Sequence, residues 1–218
     1  MSTVSPSTGH DSRGEWTPLL LSAASGAADA FTFLCIGQVF AGVMTGNLVL
    51  LGASAVGTGE HGVAPRVLTS LAWYGIGVAF GAWAAGRLRW PPPVTLLCEV
   101  ALLTAAAALW GLGVITSDGD RLGLLALVAT AMGIQGRILG TPTNYFTGTL
   151  TSLVGRAALR SWTQEDRWAS ARLVAVVAGA AVTALAVRIR PEVAAAVAVV
   201  PAAGALLAGT GPSPRSRD

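Results

Sequence analysis

Long apolar runs separated by short polar islands make up most of the chain. The runs are about 17–23 residues long, which is the length needed to cross the hydrocarbon core of a bilayer as a helix. Membrane β-strands would instead alternate between apolar and polar positions in shorter segments, a pattern that the sequence does not show. The pattern predicts an all-α polytopic membrane helical bundle with six transmembrane helices, at about 17–36, 67–88, 94–115, 122–139, 168–187 and 193–207. Gly77 and Gly81 stand at GxxxG spacing in the second of these, which predicts a packing helix, and residues 117–120 are predicted to form a tight acidic loop.

Composition points to the same class of protein. Hydrophobic residues make up 53% of the 218 residues and charged residues 11%, and the mean hydropathy is +0.62. These values are too apolar for a soluble domain. The 14 cationic side chains are all arginines near span ends, which predicts membrane orientation and no nucleic-acid partner. Cys35 and Cys98 both lie inside apolar runs, so we expect neither a disulfide framework nor a metal site, and no cofactor.

The two ends of the chain differ from the part between them. Residues 1–15 are polar, and residues 210–218 are rich in proline, serine and arginine. Both are predicted to be disordered tails. Between them, residues 16–209 are predicted to form a single integral membrane domain in contact with the lipid bilayer.

A short element built on a Thr-Gly pair occurs twice within this domain. Thr45, Gly46 and Asn47 open an apolar stretch that reappears, with changes, after Thr147, Gly148 and Thr149. Each copy follows a run that carries a polar residue, and the spans after each copy match in order. The recurrence predicts two related halves, at about 17–115 and 121–208. It also predicts two short broken or re-entrant helices, since glycine permits unusual backbone angles and threonine can cap the helix that follows.

Arginine counts favour a topology in which neither Thr-Gly element crosses the membrane. Both termini then lie on one side with nine arginines, namely Arg13, Arg87, Arg89, Arg137, Arg156, Arg160, Arg167, Arg215 and Arg217. The other side holds four, namely Arg66, Arg121, Arg188 and Arg190, and Arg172 is left out because it lies inside a predicted span. The positive-inside rule then predicts a multi-pass protein of the inner (plasma) membrane with cytoplasmic termini. Three crossings separate the halves, which predicts an inverted internal repeat.

Several of these segments resemble one known family. They are Gly-Ala-Ala-Asp-Ala at 26–30, Met-Thr-Gly-Asn at 44–47, Ala-Met-Gly-Ile-Gln at 131–135 and Thr-Gly-Thr-Leu at 147–150. Together they resemble the YoaK-like family of bacterial inner-membrane proteins, over roughly residues 19–206. That family is of unknown function and is usually described as having six spans. The resemblance therefore implies a membrane domain of this extent and implies no substrate.

Polar residues within the apolar runs are the candidate substrate-binding or coupling residues. Asp29 and Glu99 are carboxylates inside predicted spans, where an ionised group is costly unless it is paired, protonated or facing water. Glu99 lies nearer a span end, where it could reach interfacial water. Asp29 is the preferred coupling or substrate-orienting group, and the alternative is a structural hydrogen bond to a Thr-Gly backbone N–H or to Arg137. Gln135 occupies the place in the second half that Asp29 occupies in the first, and it could face a shared site or simply bond a neighbouring helix. The remaining candidates are Thr45, Gly46, Asn47, Thr147, Gly148 and Thr149, which could contact a ligand or cap their own helices.

Two functions remain open at this level. The first is a small secondary transporter or permease for an unknown small-molecule or ion substrate, with its site between the halves. The second is a non-transporting membrane scaffold or accessory subunit in which Asp29 is purely structural. An enzyme is not expected, because His10 and His61 lie in polar segments and no nucleotide-binding loop is present. A homodimer is compatible with a domain of this size.

Overall fold

The computed structural model describes residues 13–58, 62–138 and 146–209, and these residues form an all-helical bundle with no strand among them. The α-helices are α1 (Arg13–Phe31), α2 (Met44–Ala55), α3 (Val63–Gly86), α4 (Pro92–Gly111), α5 (Asp118–Ile138), α6 (Phe146–Ala158), α7 (Gln164–Ile189) and α8 (Val199–Gly209). A π-helix, Thr32–Gly37, extends α1, and a 3₁₀ helix, Pro191–Ala198, leads into α8. The predicted all-α class is confirmed. The predicted tails at 1–15 and 210–218 lie outside the described residues, apart from the start of α1.

Within the described residues, five helical segments are long and apolar enough to cross a membrane: Glu15–Gly37, Val63–Gly86, Pro92–Gly111, Gln164–Ile189 and Pro191–Gly209. The remaining predicted span is α5, which has 21 residues. Polar side chains near its ends lower its apolar content, among them Asp118, Asp120 and Arg137. Because α5 packs against α3 and α4 and is largely buried, it presents little surface to lipid and does not need a fully apolar sequence.

The two Thr-Gly elements form helices that are too short to span a bilayer. Helix α2 has 12 residues and α6 has 13. At 1.5 Å per residue, each is only about 18–20 Å long, against a hydrocarbon core of about 30 Å. The prediction of short, interrupted elements is therefore confirmed for the described residues. Residues 59–61 and 139–145, which adjoin these elements, lie outside the described residues.

A change in backbone geometry ends the first span. After Phe31 the chain widens into the π-helix, and Gln38 then adopts a left-handed conformation with φ of 59°. Such π-helical turns are rare and occur frequently at functional sites. The left-handed residue ends the helix, so that the chain turns back toward α2 instead of continuing through the bundle.

Two helix pairs pack through glycines in the same way. In the first pair, a Cβ on Gly26 of α1 would collide with the carbonyl oxygen of Val176, and a Cβ on Gly179 of α7 would collide with that of Ala23. In each case the carbonyl group in the way belongs to the residue three positions before the glycine of the other helix. The close backbone approach explains why both positions lack a side chain.

The second pair repeats this contact between α3 and α5. A Cβ on Gly77 would collide with the carbonyl oxygen of Thr130, and a Cβ on Gly133 would collide with that of Tyr74. Gly81, one turn after Gly77, packs against Arg137. The prediction that the Gly77 and Gly81 pair marks a packing helix is confirmed, and α5 is the helix that it contacts.

Both glycine-packed pairs run parallel. Trp16 and Trp168, near the starts of α1 and α7, meet edge to face with ring centroids 5.9 Å apart. Arg66 and Asp118, near the starts of α3 and α5, approach to 3.9 Å. Helix α8 is antiparallel to α1, since Gly204 faces Leu20 whereas the later Gly209 faces Thr17.

One predicted loop is helical instead. Residues 117–120 were expected to form a tight acidic loop, but Asp118 and Asp120 lie in the first turn of α5. The Asp120 carboxylate accepts hydrogen bonds from the backbone N–H groups of Thr116, at 3.0 Å, and Ser117, at 2.8 Å. The Ser117 hydroxyl accepts one from the Asp120 N–H at 3.1 Å. Ser117 and Asp120 therefore cap the helix, so the loop prediction was wrong at these positions.

Candidate functional site

Asp29 lies one turn before the π-helix and holds the segment that leads into α2. Its carboxylate is only 7% exposed and accepts a hydrogen bond from the Gly42 N–H at 2.7 Å. The backbone N–H groups of Ala41 and Val43 also interact with it. Three backbone donors satisfy the carboxylate, which explains how an acidic side chain is tolerated at this depth. Among the described residues, no ion pair joins Asp29 to Arg137, the other partner considered from the sequence.

Asn47 holds the same segment from the other side. Its amide oxygen accepts a hydrogen bond from the Phe40 N–H at 3.0 Å, and its amide nitrogen donates to the Phe40 carbonyl oxygen at 2.7 Å. The amide nitrogen also donates to the hydroxyl of Ser70 on α3 at 3.1 Å, and that hydroxyl donates to the Phe40 carbonyl at 2.6 Å. Asn47 is fully buried. The broken segment therefore has a fixed conformation and is docked on α3.

The other two residues of the first Thr-Gly element have different surroundings. Thr45 is exposed, and its side chain makes none of the hydrogen bonds just described. Gly46 is half-buried, and a Cβ there would press on the Phe40 ring at 3.2 Å. Phe40 in turn stacks on Phe33 of the π-helix, with ring centroids 5.1 Å apart. Gly46 thus lets α2 start close to the aromatic pair.

An open groove runs beside Asp29 between α1 and α7, with a volume of about 560 Å³. Its walls are almost entirely apolar and include Ala30, Phe33 and Val177. Among the described residues that line it, Asp29 is the only charged one. The carboxylate reaches the groove edge but is engaged by backbone donors, so the groove is an apolar surface with one satisfied acid.

The second Thr-Gly element lies on α6, which packs against α7. Thr147 is exposed, whereas Gly148 and Thr149 are half-buried. Near the end of α6, Arg156 donates to the Asp166 carboxylate through its Nε at 2.6 Å. Asp166 also accepts the Thr163 N–H at 2.8 Å and so caps α7. The structure does not bring the two Thr-Gly elements into one described site.

Glu99 on α4 is the most unusual of the candidates. Its side chain is fully buried, and neither carboxylate oxygen has a hydrogen-bond partner within the described part of the chain. It was expected near a span end with access to interfacial water, but it points inward on the same face of α4 as Leu96 and Leu103. Helix α4 packs against α5, α8 and the 3₁₀ helix, so Glu99 lies where α4 meets the second half of the chain.

Gln135 on α5 is fully buried and bonds a neighbouring helix. Its Nε2 donates to the Leu21 carbonyl oxygen of α1 at 2.8 Å. Leu21, Leu96 and Ile138 belong to one apolar cluster, and Leu96 and Ile138 lie one turn from Glu99 and Gln135 respectively. The two polar side chains therefore lie at a similar level of the bundle. Gly26 and Gly133 make equivalent helix contacts, but Asp29 is three residues after Gly26 whereas Gln135 is two residues after Gly133. The glycine contacts therefore do not make Gln135 the counterpart of Asp29.

Three further residues could not be singled out from the sequence. Ser70 completes the network around Phe40, and Asp166 joins α6 to α7. The guanidinium of Arg66 lies against Gly37, where a Cβ would contact its Nη1 at 2.5 Å. A serine in an apolar run and charged residues at span ends give no local signal of such contacts. No group of three or more potential metal-ligating side chains occurs among the residues that the structure describes.

Comparison with known proteins identifies the family. The model of the family described as "Protein of unknown function (DUF1275)" matches residues 17–209. The chain belongs to the DUF1275 family. A relative of this DUF1275 chain, the UPF0700 transmembrane protein YoaK of Bacillus subtilis (strain 168), is 32% identical to it over 146 residues. The match covers 62% of this chain and 63% of that relative. No solved structure matches. The resemblance to the YoaK-like family is thereby confirmed, and the protein is a transmembrane protein.

Proposed function

We propose that the protein is a small secondary transporter whose site lies where two inverted halves meet. The observation that carries the proposal is Glu99, a fully buried carboxyl group without a hydrogen-bond partner among the described residues. Ionisable residues inside membrane bundles are costly and are functional candidates by default. Asp29 and Asp166, by contrast, are both occupied by hydrogen bonds that hold the fold together.

Support for the inverted repeat comes from the two glycine-packed pairs. The first span of each half packs on the second span of the other half, α1 on α7 and α5 on α3. Gly26 and Gly133 have the same role in these contacts, as do Gly77 and Gly179. This arrangement is expected of two halves related by a pseudo-two-fold axis, with the ligand site on that axis.

Support for the opposite insertion of the halves comes from chain direction. Helices α1 and α7 run parallel, and α3, α4 and α5 lie between them in sequence. If α3, α4 and α5 each cross the membrane, α1 and α7 can be parallel only when α2 and α6 behave alike. Either both of these short helices cross, or neither does and each stays within one leaflet. Helices of 12 and 13 residues are too short for two full crossings. These directions and lengths support the six-crossing topology, and with it the cytoplasmic position of both termini in the inner membrane that the arginine counts favour.

A non-transporting scaffold is the second candidate, and one observation favours it. The hydrogen bonds of Asp29 and Asn47 all go to the chain's own backbone and to Ser70. The first broken segment is therefore held as a rigid structural part. In a scaffold, Glu99 would be expected to find its partner on another subunit.

Transport can be tested with the full chain in proteoliposomes on a solid-supported membrane. Solute-dependent currents are recorded for a panel of amino acids, dicarboxylates, monosaccharides and polyamines. We expect at least one class to give a current that empty liposomes lack, and that current to be lost in Glu99→Ala and kept in Glu192→Ala. Glu192 is exposed and lies at the end of the bundle, in the 3₁₀ helix. Currents equal to those of empty liposomes for the whole panel would favour the scaffold.

A further inference from the structure

We propose that Glu99 binds a proton while buried and that this proton is the coupling ion of the transporter. The inference rests on the proposed function and adds the ion and the residue that carries it. Sequence reasoning favoured Asp29 for this task. The structure instead distinguishes the buried acids by their hydrogen bonds.

The contrast between three buried carboxylates is the first step. Asp29 interacts with three backbone N–H groups, and Asp166 accepts hydrogen bonds from Arg156 and from both the N–H and the hydroxyl of Thr163. Donors of this kind stabilise the ionised form. Glu99, like Asp166, is shielded from solvent, but it has no such donor among the described residues. An isolated ionised carboxylate is so costly in an apolar interior that the group takes up a proton instead.

The charged residues on the helices packed around Glu99 do not favour its ionised form. Helix α8 carries no charged residue, and Glu192 in the 3₁₀ helix lies at the outer end of α4, beside Gly111. On α5, Arg137 packs against Gly81 of α3. The other charged groups on α5 and α3 lie near the opposite end of the bundle from Leu96, namely Arg66, Asp118, Asp120 and Arg121. No described cation faces Glu99 to hold it ionised.

The surroundings of Glu99 also suit a proton better than a metal cation. A bound metal ion requires several oxygen ligands around one point. The neighbours of Glu99 on its face of α4 are Leu96 and Leu103, and Leu96 packs with Leu21 and Ala205 from α1 and α8. A proton needs only the carboxylate itself.

The position of Glu99 between the halves gives the proton a route. Glu99 belongs to the first half, whereas α5, α8 and the 3₁₀ helix, which pack on α4, belong to the second. Rocking of one half against the other is the usual motion of transporters with this kind of repeat. Such rocking would open the α4 interface to one side and then to the other. Glu99 would release its proton to water when exposed and regain one before it is buried again.

Infrared difference spectroscopy tests the protonation step. The spectra of wild type and Glu99→Gln are compared at neutral pH, with Glu192→Gln as the matched control. We expect a protonated-carboxyl band that disappears in Glu99→Gln and persists in Glu192→Gln. Glutamine has nearly the shape of the neutral acid, so this variant should fold. An ionised carboxylate band for Glu99 at neutral pH would overturn the inference.

Proton-driven uptake tests coupling with whichever solute of the panel gives a current. An inward proton gradient should accelerate uptake into wild-type and Glu192→Gln vesicles and should have no effect on Glu99→Gln vesicles. If Glu99→Gln vesicles respond to the gradient like wild type, the inference is overturned and transport stands. If no solute moves in wild type, the transport proposal fails and coupling fails with it, while the infrared band still reports the protonation of Glu99.

Discussion

Replacing the crossing glycines by alanine should destabilise the bundle only where two backbones touch. In Gly77→Ala and Gly133→Ala the new methyl group would meet the carbonyl oxygen of the partner helix. Forcing an extra carbon into a well-packed contact costs about 1–3 kcal/mol. The same helices supply matched controls, since a Cβ on Gly75 of α3 or Gly123 of α5 meets nothing within 4 Å.

The size of the stability loss follows from comparing each contact variant with the control variant on the same helix. Alanine has a higher helix propensity than glycine, which adds up to about 1 kcal/mol of stability at both the contact and the control positions. This contribution largely cancels when a contact variant is compared with its control. Gly77→Ala should therefore be about 1–3 kcal/mol less stable than Gly75→Ala. For a chain of this length that corresponds to a difference in melting temperature of about 2–12 °C. The double variant of Gly77 and Gly133 should cost less than the sum of the two, because both methyl groups push the same backbones apart.

Thermal unfolding in detergent micelles, followed by tryptophan fluorescence, is the assay. Gly26→Ala and Gly179→Ala should give the same loss as Gly77→Ala and Gly133→Ala, because their contacts are equivalent. The reasoning is refuted if Gly77→Ala and Gly133→Ala unfold within about 0.5 kcal/mol of their controls, which is the range of ordinary surface substitutions.

Three further substitutions test individual contacts, each by the same unfolding measurement. Asn47→Ala should cost about 1–3 kcal/mol because the Phe40 N–H loses its buried partner and the Phe40 carbonyl keeps only the Ser70 hydroxyl. A cost below about 0.5 kcal/mol would contradict the docking of the broken segment. Asp166→Ala should cost a similar amount, since it removes both the α7 cap and the bond to Arg156, whereas Gln164→Ala at the exposed first position of α7 should be nearly neutral. Glu99→Gln should leave stability unchanged or raise it, and a clear loss would indicate that the carboxyl group has a structural partner.

Sequence pattern was sufficient for the class of fold and for most span boundaries. Apolar run length predicted the long helices to within a few residues, because lipid forces each span to satisfy its own backbone. The GxxxG spacing of Gly77 and Gly81 also predicted a helix contact, although not that α5 would be the partner. Local signals of this kind depend only on neighbouring residues.

The candidate site depended on contacts that sequence does not encode locally. Asp29 was a reasonable candidate because of its depth, but only the fold reveals that the Gly42 N–H lies within 2.7 Å of its carboxylate. The apolar pattern predicts Glu99 close to a span end, and the packing of α8 and the 3₁₀ helix over α4 accounts for its burial. Such features arise from helices distant in the chain.

Opposite insertion of the two halves is the central claim, and a cysteine accessibility map tests it most directly. Single cysteines are placed at Thr58, Ser117 and Thr163 in a background without Cys35 and Cys98, and intact cells are treated with a membrane-impermeant thiol reagent. The account predicts that Thr58 and Ser117 positions react from outside and that the Thr163 position reacts only after permeabilisation. Reaction of the Thr58 and Thr163 positions from the same side would contradict it. The chain would then cross the membrane an even number of times between these positions, whereas the proposed topology has three crossings there.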